Sequence, residues 1–334
     1  MRDDTIMLAH GSGGRRMHDL VRATIGHILI QPKYAQFSDS AVLGLSSGQV
    51  AFTTDTYVVK PLEFPGGDIG TLAVSGTVND LAVVGAEPRY LSCGLVIEEG
   101  FSIERLRRIL TSMRKTADEA GVAIVTGDTK VVRHGEADGL YINTAGVGVV
   151  AEHNALTSDS LVPGDEVIVS GTVGDHGAAV MAAREGVDTS LVSDCAPLNG
   201  MIQSVLRATD GVKFMRDATR GGVATVCNEV VEGASFGMRL NAESIPISDA
   251  VRGFCETLGL DPLYVANEGK TVLIVAHDSV QVVLAALHSH PFGRNAAVIG
   301  ALVDDLPGMV ILETPLGGDR ILGMLSGEQL PRIC

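Results

Sequence analysis

Gly121-Val122-Ala123-Ile124-Val125-Thr126-Gly127-Asp128-Thr129-Lys130 is the stretch whose reading decides the fold. Val122 to Val125 is a short apolar run with the length of a buried strand, and it ends in a polar cluster. Upstream, Ile103, Leu106, Leu110, Met113 and Ala117 recur at helical spacing, with Ser102 as the cap and Gly121 as the stop. Before that helix, Tyr90 to Ile97 reads as a strand. Strand, helix and strand in succession predict an α/β unit. Asp128 and Lys130 are then expected at a strand's carboxyl end, where open α/β sheets hold ligands.

Working outward, Phe52 to Val59 reads as a strand that carries Thr53-Thr54-Asp55-Thr56 towards a wet site. Asp68 has the character of an N-cap for a helix reaching about Val84, buried through Ile69, Leu72, Ala73, Gly76 and Leu81 and containing Asn79-Asp80. Nearer the start, His10-Gly11-Ser12-Gly13-Gly14 precedes a helix from about Arg16 to Ile28, and Ser38 to Leu43 leads into a hairpin turning at Gly44 and Gly48. Beyond Lys130, a hairpin around Gly135 to Gly139 is expected to return through Leu140 to Val150.

A turn-rich stretch to Asp165 reads as a linker. Strand Glu166 to Ser170, the loop Gly171 to Gly177 and a helix to Arg184 follow. Phe214 to Gly222 is a polar, glycine-ended segment feeding a helix to Gly233, whose first amides could face phosphate. Asn267-Glu268-Gly269 precedes the apolar strand Thr271 to Ala276, and helix 278–289 and strand Ala297 to Val303 come after.

Composition narrows the function. The chain has 334 residues, 46% of them hydrophobic, with 40 glycines, enough for two cored α/β domains rich in tight turns. A net charge of −15 excludes a phosphate-backbone partner and suits a protein that concentrates carboxylates around cations. Five cysteines, an odd number without a CxxC pair, support neither a disulfide framework nor a thiolate zinc cluster. Neither a signal peptide nor a membrane-spanning run is present, so a soluble, cytoplasmic protein is expected.

Several local matches carry nothing. The N-terminal glycine loop lacks the third glycine of a dinucleotide fingerprint, where Arg16 stands. Gly269-Lys270-Thr271 mimics the end of a Walker A loop, but Tyr264 occupies the required first glycine. His288 and His290 supply two ligands only, a poor closed metal site. By contrast Asp39, Asp55, Asp80, Asp128 and Asp217 all lie in polar segments at expected element ends. Several such acids without a Walker A lysine point to nucleotide chemistry in which magnesium joins carboxylates to phosphates. Cys334 places a thiol on the last residue, behind Pro331, which cannot donate a backbone hydrogen bond.

Across nearly its whole length the chain resembles the HypE family of hydrogenase maturation proteins. These belong to the ATP-binding superfamily of aminoimidazole ribonucleotide synthetase and selenophosphate synthetase. The resemblance lies in His10 to Gly14, Phe64 to Gly67, Gly76 to Leu81, Tyr90 to Gly94, Thr126 to Val132, Arg216 to Gly222, Asn267 to Lys270 and Pro331 to Cys334. Gly127-Asp-Thr-Lys-Val-Val132 and the final cysteine are its specific parts. A selenophosphate synthetase would carry a reactive cysteine or selenocysteine with a lysine near its N-terminus, and this glycine loop has neither.

The resemblance implies an α/β (α+β) fold of two mixed domains. It divides the chain into an N-terminal glycine-rich segment (1–36), an ATP-binding and dimerisation domain (37–152), a linker (153–165), a C-terminal α/β domain (166–315) and a mobile tail (316–334). It also implies that Cys334 carries a carbamoyl group whose ATP-dependent dehydration gives a thiocyanate, the source of the cyanide ligand on the iron of [NiFe] hydrogenase. ATP would be held by His10, Gly11, Gly13, Gly14, Asp55, Asn79, Asp128, Thr129, Arg220 and Gly221, and Mg2+ by Asp39, Asp55, Asp80, Asp128 and Asp217. Glu268 would be the base and Lys130 the charge stabiliser. Expected partners are a carbamoyltransferase, HypF, as donor, the HypC–HypD iron-carrying complex as acceptor, and a second copy of the chain. Two other readings are a superfamily enzyme that phosphorylates a free amide and a nucleotide-sensing scaffold whose tail only docks.

Overall fold

A computed structural model describes residues 4–11, 15–31, 49–150, 156 and 158–324. Asp39, Gly13, Gly14 and Cys334 lie outside the described residues. The chain begins with helix α1 (Arg15–Leu20), a π-helical turn (Val21–Gly26) and the short α2 (His27–Leu29). Next come β1 (Gln49–Tyr57), the small pair β2 (Glu63–Phe64) and β3 (Gly67–Asp68), and helix α3 (Ile69–Val83). Then follow β4 (Ala86–Glu98), α4 (Ile103–Ala120), β5 (Ala123–Val132) and β6 (Leu140–Val150). The four long strands form one sheet in the order β1-β6-β4-β5, antiparallel except for the β4–β5 pair.

The caps expected from sequence are present. Asp68 accepts from the Gly70 and Thr71 amides, Ser102 accepts from Arg105, and Gly121 closes α4 at φ 69°. Helix α4 buries one face through Leu106, Ile109, Leu110, Met113 and Ala117. Helix α3 is different, because thirteen of its fifteen residues are buried. It is enclosed by the first sheet, α4 and the second half of the chain, so its small residues are a packing requirement. A Cβ on Gly76 would stand 2.4 Å from the Tyr57 hydroxyl, and one on Gly70 2.4 Å from the Ile109 carbonyl.

Two expectations fail in this half. Strand β5 does not end before the polar cluster: it runs through it to Val132, held in register by β4. Asp128 and Lys130 are therefore within a strand and not at its carboxyl end. Nor do β5 and β6 form a hairpin, because β6 crosses over to lie between β4 and β1.

A 3-10 turn (Ser158–Ser160) leads into the second half, which contributes β7 (Glu166–Val169), α5 (Asp175–Arg184), α6 (Asn199–Ala208), β8 (Val212–Asp217) and α7 (Gly222–Val231). It continues through β9 (Gly237–Asn241), α8 (Asp249–Leu258), β10 (Thr271–Val275), α9 (Val280–His288), β11 (Ala297–Val303), β12 (Val310–Glu313) and β13 (Asp319–Ile321). Its mixed sheet has the order β13-β12-β9-β11-β7-β10-β8. Every residue of β10 is buried, as expected of a strand covered on both faces. Part of the stretch read as tail belongs to this sheet, since β13 pairs with β12 at its edge. Among the described residues, no helix is long and apolar enough to cross a membrane.

The two halves share core. Ala82 and Val83 at the end of α3 pack with Met201, Ile202 and Met215, and residues of α5 and α8 join the cluster under the first sheet. Asn79 fastens this contact. Its side chain, 1% exposed, donates to the Ala196 carbonyl (3.1 Å) and the Glu268 carbonyl (3.2 Å) and accepts from the Leu198 amide (2.7 Å). Three buried backbone groups of the second half thus depend on one amide of the first. Asn79→Ala is expected to cost on the order of 3 kcal/mol, since each orphaned buried group costs about 1–3 kcal/mol. A urea midpoint equal to wild type would refute this role.

Candidate active site

The docking of α3 against β8 and the Glu268 segment leaves a cavity of about 540 Å³ beside the β1 edge. Asp55 of β1, Asp80 of α3, Asp217 at the end of β8, Arg216, Arg220 and Glu268 line it. Alternation along β1 explains Asp55. Its partner across the sheet, Thr144, is fully buried and bonded to the Ala73 carbonyl of α3, so Asp55 faces the helices. Asp80, one residue beyond Asn79, lies at the solvent-reaching side of α3 and accepts from the Thr53 hydroxyl at 2.9 Å.

The carboxylates raise one another. Burial pushes Asp217 up to about 7, and the negative charge of Asp80 adds to it. Asp80 is also raised, mainly by burial and then by Asp55, against the lowering effect of Thr53, Arg216 and Arg220. Tyr57 stays well above its ordinary value through burial and through Asp55, and its hydroxyl lies 3.1 Å from that of Thr77. Two arginines against four acids leave the cavity short of positive charge. Among the described residues no three side chains form a ready metal cage. Oxygen ligands on separate elements fit a hard cation shared with phosphates better than an all-protein site.

Arg220 stands where the chain turns into α7. Gly221 (φ 75°) and Gly222 (φ 61°) make that turn, and a Cβ on Gly222 would meet the Leu263 carbonyl at 2.4 Å. Gly221 is the N-cap of α7, directly after the cavity residue Arg220.

The structure therefore brings together Asp55, Asp80, Asp217, Arg220 and Glu268. It does not bring Asp128, Thr129 or Lys130 to them. Thr129 is buried opposite Leu95, whereas Asp128 and Lys130 lie on the open face of the sheet, both side chains 65% exposed and paired at 2.7 Å. The hydrogen bond from Lys130 holds Asp128 below its ordinary value. Asn79 is not a lining residue, since its amide is spent on the fastening already described. His10 is buried and, with Gly11, belongs to a 3-10 turn (Leu8–Gly11) packed on β5, away from the cavity. Arg216 and Thr53 line the cavity as well; both lie in segments that the sequence marks as polar, and neither is among the expected site residues.

Two family models cover most of the chain. "AIR synthase related protein, N-terminal domain" matches residues 37–150, and its C-terminal counterpart matches residues 162–312. The carbamoyl dehydratase HypE of Azotobacter vinelandii is 46% identical over 336 residues, covering 100% of this chain and 98% of its own. The chain belongs to the HypE family. A solved hydrogenase maturation protein HypE in complex with ATP superposes with a TM-score of 0.94 at 43% identity, covering 99% of this chain and 100% of that one. A chain from a solved HypE–HypF complex superposes with a TM-score of 0.80 at 41% identity, covering 93% of this chain and 100% of that one.

In this HypE chain the titration of Asp217 has a defined sign. Its folded value, about 7, lies above the ordinary 3.8, so its contribution to stability is complete below about pH 4 and is lost as pH rises through 7. His176, which burial holds down at about 4, acts oppositely between pH 6.5 and 4. The comparison is therefore between variants at each pH. Asp217→Asn is expected to melt above wild type at pH 8, by roughly 5 °C on the usual scale of about 2–4 °C per kcal/mol, and to match it near pH 4. Equal melting at both pH values would contradict the assignment.

Proposed function

We propose that this chain dehydrates a carbamoyl group carried on its own Cys334, with ATP and Mg2+ in the cavity of Asp55, Asp80 and Asp217, to give the cyano group used in hydrogenase maturation. The observation that carries the reading is the meeting of those aspartates with Arg220 and Glu268 in one cavity. Leu322 is held by Asn228 of α7 at 3.0 Å and Gly323 by Tyr264 at 2.8 Å, in the turn that packs on α7. The relative solved with ATP supports the nucleotide, and the relative solved with HypF supports HypF as carbamoyl donor. The HypC–HypD iron-carrying complex is the proposed acceptor.

Asp55, Asp80 and Asp217 would hold the Mg2+, which neutralises phosphate charge when bound. The carboxamide oxygen takes the γ-phosphoryl group as ADP leaves and one N–H proton is lost. Removal of the remaining N–H proton expels phosphate and leaves S–C≡N. Glu268, 6% exposed and lining the cavity, would take that proton, and Arg216 and Arg220 would meet the phosphate charge.

Lys130 enters only across a dimer. Among the described strands β1 and β5 are the edges of its sheet, and its open face exposes Phe52 (70%) and Val50 (55%). Two copies joined face to face about a twofold axis would set the β5 of one beside the β1 of the other. Lys130 of the partner subunit would then stand at this chain's cavity.

Two outcomes are expected. After incubation with the carbamoyl donor and ATP, mass spectrometry of the C-terminal peptide should show the carbamoylated form losing one water in wild type but not in Glu268→Gln. Mixing Lys130→Ala with Glu268→Gln chains should restore part of the activity, because one of the two sites of each mixed dimer then holds both native side chains. No water loss in wild type would sink the dehydration reading, and no restoration would place Lys130 in its own chain's site or outside the chemistry.

A further inference from the structure

The Gly171-Thr172-Val173-Gly174-Asp175 loop between β7 and α5 has no part in the reaction above, yet it borders a second cavity, of about 240 Å³. The 267–270 segment contributes to both cavities: Glu268 lines the first and Lys270 the second. Lys270 is 8% exposed, and its ammonium donates to Asp194 at 3.0 Å, the one acceptor found for it among the described residues. A lysine has three donors, so a buried ammonium with one partner retains capacity for another acceptor. Arg294 and Asn295 stand at the rim and add a guanidinium and an amide to the same wall.

The charge balance distinguishes this cavity. In a chain of net charge −15 it presents two cations against one carboxylate, the reverse of the first cavity. It is also built around the lysine. A Cβ on Gly171 would lie 2.7 Å from Lys270 Cε, so only glycine leaves room for the stem. A Cβ on Gly269 would lie 1.8 Å from the Asp194 carbonyl, which presses the Asp194 segment on to the lysine's own strand approach. Asp194 accepts from the Glu268 amide at 3.0 Å as well, so the carboxylate that holds Lys270 is tied to the backbone of a residue lining the first cavity.

We propose that this second cavity binds a small molecule bearing a phosphate or a carboxylate, held by Lys270, Arg294 and Asn295. Its volume exceeds that of a bare ion, at about 30 Å³ for each water displaced, so the anionic group is the anchor of a larger ligand. Such an oxyanion takes a second donor from Lys270 and leaves its bond to Asp194 in place.

The test is calorimetric titration of the full chain with inorganic phosphate and, separately, with succinate. The first cavity is kept saturated with a non-hydrolysable ATP analogue, and ionic strength is held constant. Lys270→Met would strand Asp194 in the core, so the variant is Arg294→Glu, at an exposed position. Millimolar or tighter binding of either probe, weakened at least tenfold in Arg294→Glu with an unchanged melting temperature, is the expected result. Phosphate alone binding assigns an organic phosphate, and succinate alone a carboxylate. Binding of neither probe, or binding that Arg294→Glu leaves intact, overturns the proposal whether or not the dehydration chemistry holds.

Discussion

One asparagine side chain sets the geometry on which the rest depends. Asn79 projects from a helix that belongs to the first sheet, and all three of its described hydrogen bonds are to backbone groups of the second half. Backbone groups in a crossing segment and a strand approach have no ladder to satisfy them, so burial is tolerable only with such a partner. Because Asp80 follows Asn79 in α3, the bonds that fasten the halves also aim a carboxylate at the space between them. Docking and site construction are the same event.

That space is electrostatically demanding. Asp217 and Asp80 are both lifted by burial and by neighbouring negative charge, a cost that the fold bears with only Arg216 and Arg220 nearby. Strain of this kind makes sense where a cation and a polyphosphate complete the charge balance. The neighbouring cavity carries the opposite sign, and its Asp194 is bound both to the Lys270 ammonium and to the Glu268 amide. Glycines at 171, 269 and 222 permit these close approaches, each where a Cβ would enter a neighbour's van der Waals shell.

The elements easiest to read were those with local physical signatures. Helix α4 has a cap, an amphipathic period and a left-handed glycine stop, and it forms where expected. Helix α3 was legible through Asp68, although its all-round burial follows from what encloses it. The polar run Thr126 to Lys130 predicts an early end to β5, whereas pairing with β4 keeps that run extended. Helices α6 and α8 and strands β8, β9, β12 and β13 go unpredicted by the sequence: the strands are short, and much of the stabilisation of all six comes from packing far away in sequence.

By itself the sequence determined the mixed α/β class, the family and the set of acids from which a cation site could be drawn, because periodicity, caps and motif residues are local properties. Tertiary structure alone decided which of those acids meet. Side chains in a strand alternate between faces, so whether Asp55 and Asp128 share a site depends on register with strands far off in the chain. Here they point to opposite faces, and Asn79, read as a nucleotide ligand, proves to be the bolt between the halves. No local pattern encodes either outcome, because both are set by contacts between residues more than a hundred positions apart or by strands that do not follow one another.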